Sequence, residues 1–197
     1  MNFKDGSIIL LNRKGKSSSF YSAAQRFFTG YPFTHSAIIV DPVRGLTSVL
    51  SSNEVVTILP LQNYFDEPDT DIMIYELIGF DEYNIKESVD SIYKSYAGAS
   101  YGYLQITWFV FRWLCKRIGI DIKGKRNYAP NGMICSEMVW DYMSLLKTNY
   151  TEFYKFLNEW TKDTVHVGDI SEIIKSFPYL FKLVYEKKNN QVIYTAE

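Results

Sequence analysis

The sequence predicts an α+β fold in which a mostly antiparallel sheet packs against helices, and three observations predict it. Short apolar runs of strand character occupy the chain from Ser7 to Leu77. From Asp81 the apolar residues recur at helical spacing instead, at Ile85, Val89, Ile92 and Tyr96. Strand-like runs then return, Phe181 to Tyr185 and Val192 to Tyr194, on either side of Asn189-Asn190, a pair suited to a hairpin turn. Strands, then helices, then late strands is the α+β pattern, and no repeat, low-complexity segment or long linker divides the chain, so 1–197 reads as a single domain.

Taken in order, Asp5-Gly6 turns into Ser7-Ile8-Ile9-Leu10-Leu11, an almost wholly apolar run suited to a buried strand. Ser17-Ser18-Ser19 offers N-caps to a helix through Ala23, Ala24, Phe27 and Phe28 that ends near Gly30 and Pro32. His35 to Val40 is the second strand, closed by Asp41-Pro42. Thr47 to Leu50 and Val55 to Leu59 form a hairpin around Ser51-Ser52-Asn53-Glu54, and Pro60-Leu61 leads through a polar loop, Asp66 to Asp69, into a strand at Ile72 to Leu77. Gly98 stops the helix that follows Asp81. Tyr103 to Ile118 is apolar on most faces and reads as a buried helix, and Gly119 to Gly132, rich in Lys, Gly, Asn and Pro, as a loop. A further helix begins at Cys135, with apolar residues at Met138, Val139, Tyr142, Met143 and Leu146. Another spans about Tyr150 to Leu157, and a short one is capped by Asp169.

Composition narrows the function classes. The chain is 47% apolar and 17% aromatic, which favours a packed core over disorder. With 21 basic against 22 acidic residues, the basic ones scattered apart from clusters such as Lys123-Gly124-Lys125-Arg126, no field argues for nucleic acid. No zinc-ligand spacing and no phosphate-binding Gly loop is present, and the acidic run at Asp66, Glu67, Asp69 and Asp71 lacks calcium-loop spacing, so neither metal nor cofactor is expected. The longest apolar stretch, Tyr101 to Cys115, is too short to cross a bilayer and is broken by Arg112, so no transmembrane segment is expected. Cys115 and Cys135 do not make a disulfide scaffold and the first residues lack a secretory pattern; the expected location is cytoplasmic or another reducing compartment.

The chemistry concentrates at Asn131 to Trp140. Cys135 stands in the first turn of a helix, where unpaired N–H groups and the helix dipole favour a thiolate. Of the two histidines, His35 lies at the mouth of a strand, and a Cys and a His far apart in sequence are a candidate nucleophile and base. A third group usually orients the imidazole. If the next strand lies beside His35, that group comes from Ser48, Ser51, Asn53 or Glu54, with Ser51 ranked first for its place at the strand end. A hydroxyl there orients the ring without adding charge. His166, between Val165 and Val167, reads as a surface or strand histidine, Glu137 as a structural acid at the helix start, and Cys115 as a buried, inert thiol.

Asp5-Gly6-Ser7-Ile8-Ile9-Leu10, a helix ending in Thr29-Gly30, Thr34-His35-Ser36-Ala37-Ile38-Ile39-Val40, and Val55 to Pro60-Leu61 together resemble the front half of the circularly permuted NlpC-like hydrolases. Tyr101-Gly102-Tyr103 before a long apolar helix, Ile134-Cys135-Ser136-Glu137-Met138-Val139, and Val165 to Ile174 resemble the back half. The resemblance implies a permuted papain-like fold in which His precedes Cys, with Cys135 as nucleophile and His35 as base. In the third position relatives tend to carry Glu, His or Asn, where this chain has Ser51. The activity that the resemblance implies is that of a cysteine hydrolase cleaving an amide bond, with a cell-wall peptide as substrate. The alternatives are a lipid thioesterase or acyltransferase like lecithin retinol acyltransferase, which the aromatic run Tyr101 to Trp113 would suit, and a catalytically weak structural module of a larger assembly.

Overall fold

A continuous apolar run becomes the middle of a sheet. In the computed structural model, which describes residues 3–14, 20–43, 46–52, 55–102, 111, 114, 115, 118–120, 132–158 and 165–195, Ile8–Arg13 is strand β1. It is followed by α1 (Phe20–Thr29), β2 (His35–Val43), β3 (Leu46–Ser52), β4 (Val56–Pro60), α2 (Gln62–Phe65), β5 (Thr70–Leu77) and α3 (Glu82–Tyr96). After them come β6 (Ser100–Tyr101), β7 (Gly132–Met133), α4 (Cys135–Leu145), α5 (Thr151–Leu157), α6 (Val167–Ser176), β8 (Phe181–Lys188) and β9 (Gln191–Thr195). Seven strands form one sheet in the order β4-β3-β2-β1-β5-β8-β9, every pair antiparallel, and β6 and β7 form a small parallel pair apart from it. The α+β class and the antiparallel sheet are as the sequence predicts.

Because β1 is central and covered on both faces, alternation of polar and apolar residues is absent from it. Its even residues, Ile8 and Leu10, join Ile38, Val40 and Leu50 under α3, α4 and α6 in the larger core. Its odd residues, Ile9 and Leu11, join Ala37, Ile39, Val49, Ile72 and Ile74 in a second core closed by Leu61, Tyr64 and Tyr185. Phe3 and Phe65 pack on that second core from outside.

Several boundaries follow local chemistry. Asp81 caps α3 by accepting the Asn84 N–H at 2.9 Å. The Asn189-Asn190 turn has φ of +50° and +62°, the paired left-handed residues that match hairpin twist. Asp41-Pro42 does not close β2, which runs on to Val43 through a register shift after Val40. β3 takes in Ser51 and Ser52, so the hairpin turn begins later than expected. The four-residue α2 and the two-residue β6 and β7 are too short to leave a periodic signal. The proposed caps Ser17, Ser18 and Ser19, and the residues 121–131, lie outside the described residues.

The run read as a buried helix is helical at Phe111, Leu114 and Cys115 and has passed into a turn by Ile118, and of these four described residues Cys115 alone is buried. Phe111 and Leu114 are about half exposed, at 47% and 49%. Among the described residues, no helix is long and apolar enough to cross a membrane.

Gly6 fixes how the N-terminal turn meets α4. Its φ is +78°, and its carbonyl accepts the buried Tyr142 hydroxyl at 3.0 Å. A Cβ added there would lie 2.4 Å from the Tyr142 hydroxyl and 2.2 Å from Ile85 Cγ2. Gly6→Ala should therefore lower unfolding free energy by about 2–4 kcal/mol, the left-handed backbone and the overpacking adding together. Urea titration measures this, and a loss under about 0.5 kcal/mol would show that the contact relaxes freely.

Candidate active site

The two residues picked out as nucleophile and base come to the same end of β2 by different routes. His35 is the first residue of that strand, opposite Leu11 of β1. Cys135 is the first residue of α4, which packs on β2 and β3. Its helix begins without a capping side chain, since Ile134 in the N-cap position has none to offer. Glu137 serves instead: its buried carboxylate accepts the Ile134 N–H at 3.0 Å, the reach-back from the third helical position that closes a helix start. Ser136 anchors the same turn by donating to the Val165 carbonyl at 2.9 Å.

The thiol meets the sheet at Ser36. The backbone N–H of Ser36, which belongs to the peptide joining it to His35, lies near enough to the Cys135 sulfur to favour its ionised form. The ladder between β2 and β3 starts only at Ile38 opposite Leu50, so Ser36 lies beyond its end. Ser36 Oγ is fully buried and makes no hydrogen bond of normal geometry, yet lies near enough to the sulfur to favour its ionised form, as does the Tyr101 hydroxyl.

The imidazole leaves the strand on the opposite face, as consecutive residues of a strand must. His35 Nε2 is 3.0 Å from Ser51 Oγ and 3.2 Å from the Tyr64 hydroxyl, and Tyr64 in turn donates to Ser51 Oγ at 2.5 Å. Among the described residues, the ring's hydrogen bonds run to these two side chains and none runs to the sulfur. Of the other candidates for the third position, Ser48 pairs with Val40 further along the strand, and Asn53 and Glu54 lie outside the described residues. Tyr64 left no signal in the sequence, because its place depends on the single turn of α2.

Arg13, at the end of β1, stands beside both groups. Its guanidinium grips Glu67 through two bonds of 2.8 and 2.7 Å and lies 5.7 Å from the centre of the Tyr64 ring. The acidic run is thus taken up locally: Glu67 by Arg13, Asp71 by Lys14 at 2.5 Å, and Asp66 by the Gln62 amide at 2.6 Å. Among the described residues, no group of three or more His, Cys, Asp or Glu side chains could hold a metal ion.

The electrostatics correct one expectation. A helix start was expected to favour the thiolate, but Cys135 is only 3% exposed, and burial pushes its thiol up. That outweighs the Ser36 N–H and hydroxyl, the Tyr101 hydroxyl and the Arg13 charge, which all pull the other way. Burial, aided by Arg13, holds His35 well below the usual imidazole range. Both partners therefore rest neutral near pH 7. His166 is neither a surface nor a strand histidine: it is the N-cap of α6, with Nδ1 accepting the Asp169 N–H at 3.2 Å and the Asp169 carboxylate accepting its own N–H at 3.0 Å. Asp169, expected as the cap, is its partner three residues in.

No protein-family model matches the sequence, and no curated protein matches it. Among solved structures the chain is similar to the crystal structure of the metalloprotein yiiX from Escherichia coli O157:H7, with a TM-score of 0.50 and 18% identity over 72% of this chain. The match spans 64% of the length of that chain. At this identity the likeness is one of fold.

The lowered His35 sets a sign for acid stability. An imidazole held neutral in the folded state favours folding above its unfolded pKa of about 6.5, and that contribution is lost as pH falls towards the folded value. Stability measured by denaturant titration should fall below about pH 6.5 with a slope of up to about 1.4 kcal/mol per pH unit from this ring, and His166, lowered in the same direction, adds to it. His35→Gln should flatten the His35 share of the slope; an unchanged slope would mean that the ring titrates normally.

Proposed function

We propose that this chain is a cysteine hydrolase that cleaves an amide bond, with Cys135 as nucleophile, His35 as base and Ser51 as an orienting group, on a permuted papain-like fold. The supporting observation is the place of Cys135: the first residue of α4 packs on β2 beside the peptide that joins His35 to Ser36, whose N–H favours the ionised sulfur. A helix start and a strand start separated by a hundred residues of chain meet at one peptide bond there. A buried thiol packed for its volume alone needs no such donor.

In this reading substrate enters a site where thiol and imidazole are both neutral. The His35 ring rests against Ser51 and Tyr64 on the other face of the sheet from the sulfur, so it has to turn towards Cys135 for this step; it then takes the Cys135 proton as the sulfur attacks the carbonyl carbon and the C=O electron pair moves onto oxygen. The Cys135 N–H, at the head of α4 with no intrahelical acceptor, and the Tyr101 hydroxyl are the donors for that oxyanion. The imidazolium then gives its proton to the leaving nitrogen as the C–N bond breaks, leaving a thioester on Cys135. Water, losing a proton to the imidazole, attacks the thioester and releases the acid, and the proton returns to the sulfur. The substrate proposed, from the resemblance drawn in sequence, is a cell-wall peptide.

A lipid ester is the second reading, favoured by the exposed apolar side chains of Phe111, Leu114, Ile118 and Ile120 downstream of Tyr101. In both readings the same thioester forms on Cys135, so intact-mass measurement separates them by the group that is added. Incubation with purified cell-wall peptides should give shortened peptides by mass spectrometry, at a rate that falls at least about a thousandfold in Cys135→Ala and in His35→Ala with melting temperature nearly kept. An acyl adduct from phospholipid vesicles with no peptide cleavage transfers the assignment to lipid chemistry. Neither product nor adduct would leave the catalytically weak module as the function.

A further inference from the structure

We propose that His166 is a positioning residue: together with Asp169 it clasps the segment that carries Cys135 to the segment that leads into His35, and a proton on His166 opens the clasp. Its catalytic meaning rests on the hydrolase reading above, but the contacts behind it do not.

One peptide is held at both ends. The carbonyl of the peptide between Val165 and His166 accepts the Ser136 hydroxyl at 2.9 Å, and the N–H of the same peptide donates to the Asp169 carboxylate at 3.0 Å. Ser136 follows Cys135 in the first turn of α4, so the capping box of α6 sets the direction of the carbonyl that anchors the nucleophile's turn. The imidazole reaches the other arm. Tyr31, four residues ahead of His35, lays its ring 5.5 Å from the centre of the His166 ring. A Cβ at Gly168 would strike the Tyr31 ring, so that glycine is what lets the chain entering β2 rest on the head of α6.

The protons at this imidazole can be placed without ambiguity. A backbone N–H only donates, so the 3.2 Å bond from the Asp169 N–H requires a bare Nδ1, and the neutral ring carries its proton on Nε2. Nε2 lies 3.4 Å from the other Asp169 oxygen. A proton added at Nδ1 sets two donors face to face and strips the Asp169 N–H of its acceptor. It also draws the Asp169 carboxylate towards the ring and off the His166 N–H, which frees the shared peptide to turn. Of the groups that face the ring, α6 supplies Asp169, the segment before β2 supplies Tyr31, which Glu172 also acts on, and α4 supplies the neutral Ser136. Burial holds His166 below the usual imidazole range against the pull of Asp169. The clasp is therefore closed near pH 7 and opens as pH falls below about 6.5.

The chain has two histidines and two cysteines, so ring-labelled histidine and Cβ-labelled cysteine give two signals of each kind. Loss of one signal in His166→Asn and in Cys115→Ala assigns them. In a pH titration without substrate, the wild type should show His166 as the Nε2–H tautomer at neutral pH, and the Cys135 signal should shift with the His166 midpoint. His166→Asn keeps a capping oxygen that does not titrate, so this step should vanish from Cys135 with melting temperature nearly kept. Ser136→Ala leaves His166 titrating but cuts the link, and the step should again vanish from Cys135. Should one variant fail to fold, the other carries the test. A wild-type Cys135 signal that ignores the His166 midpoint, or a step that survives either substitution, overturns the proposal. Where peptide cleavage is measured, His166→Asn should shift the acid limb of kcat to lower pH, a change that lost packing alone does not produce. An inactive protein with the coupled signals sinks the hydrolase assignment alone. An active one whose Cys135 signal and acid limb are indifferent to His166 sinks the clasp alone.

Discussion

Burial at the first peptide of β2 governs the rest of this structure. The sheet is covered on both faces, so consecutive residues at its centre enter different cores, and His35 and Ser36 divide accordingly. The thiol comes from the helical side to the peptide between them, while the imidazole turns towards Tyr64 and Ser51. Neither group has enough water around it to hold a charge cheaply, and that single fact decides their resting state. A helix dipole and several donors aimed at the sulfur are worth less than the hydration it gives up.

Arg13 shows why the neutral state is stable against its surroundings. A cation beside a thiol favours the thiolate, and the same cation beside an imidazole disfavours the imidazolium. Transfer of a proton from Cys135 to His35 produces both ions at once, so the two effects oppose each other. Arg13 is moreover engaged by Glu67, which damps its field at either site. Its role is better matched to geometry: through Glu67 on one side and the Tyr64 ring on the other, it ties the end of β1 to α2 and so to the groups behind the imidazole.

How much the sequence disclosed depended on range. The β1 run, the α3 period that starts after Asp81 and the Asn189-Asn190 hairpin are local signals, and each became the expected element. Ser51 could be picked out because a hairpin register places the end of β3 beside the start of β2. Tyr64 could not, since α2 is one turn long and its approach to His35 depends on how the chain recrosses the sheet after Pro60. The thiol's charge state was misjudged for a related reason: helix position is legible in a sequence, whereas depth of burial is a property of everything packed around it. His166 carried no cue at all, because capping by an imidazole is not among the common N-cap chemistries.

That two hydroxyls, and no acid, stand behind the imidazole has a mechanistic consequence that magnitudes make clear. A carboxylate about 4 Å from an imidazolium, in surroundings of effective dielectric near 20, is worth about 4 kcal/mol to the charged ring. A neutral hydroxyl contributes a hydrogen bond of about 1 kcal/mol, much of it shared by the neutral ring. With Ser51 and Tyr64 as the backing groups, a preformed thiolate–imidazolium pair is therefore short of several kcal/mol of support that an acid would supply. In the proposed reaction the proton cannot leave sulfur ahead of substrate; it has to move as the carbon–sulfur bond forms, so that charge passes to the carbonyl oxygen rather than resting on sulfur. That places the demand on the donors at the head of α4 and on Tyr101, and makes substrate binding, rather than the resting dyad, the event that activates the thiol.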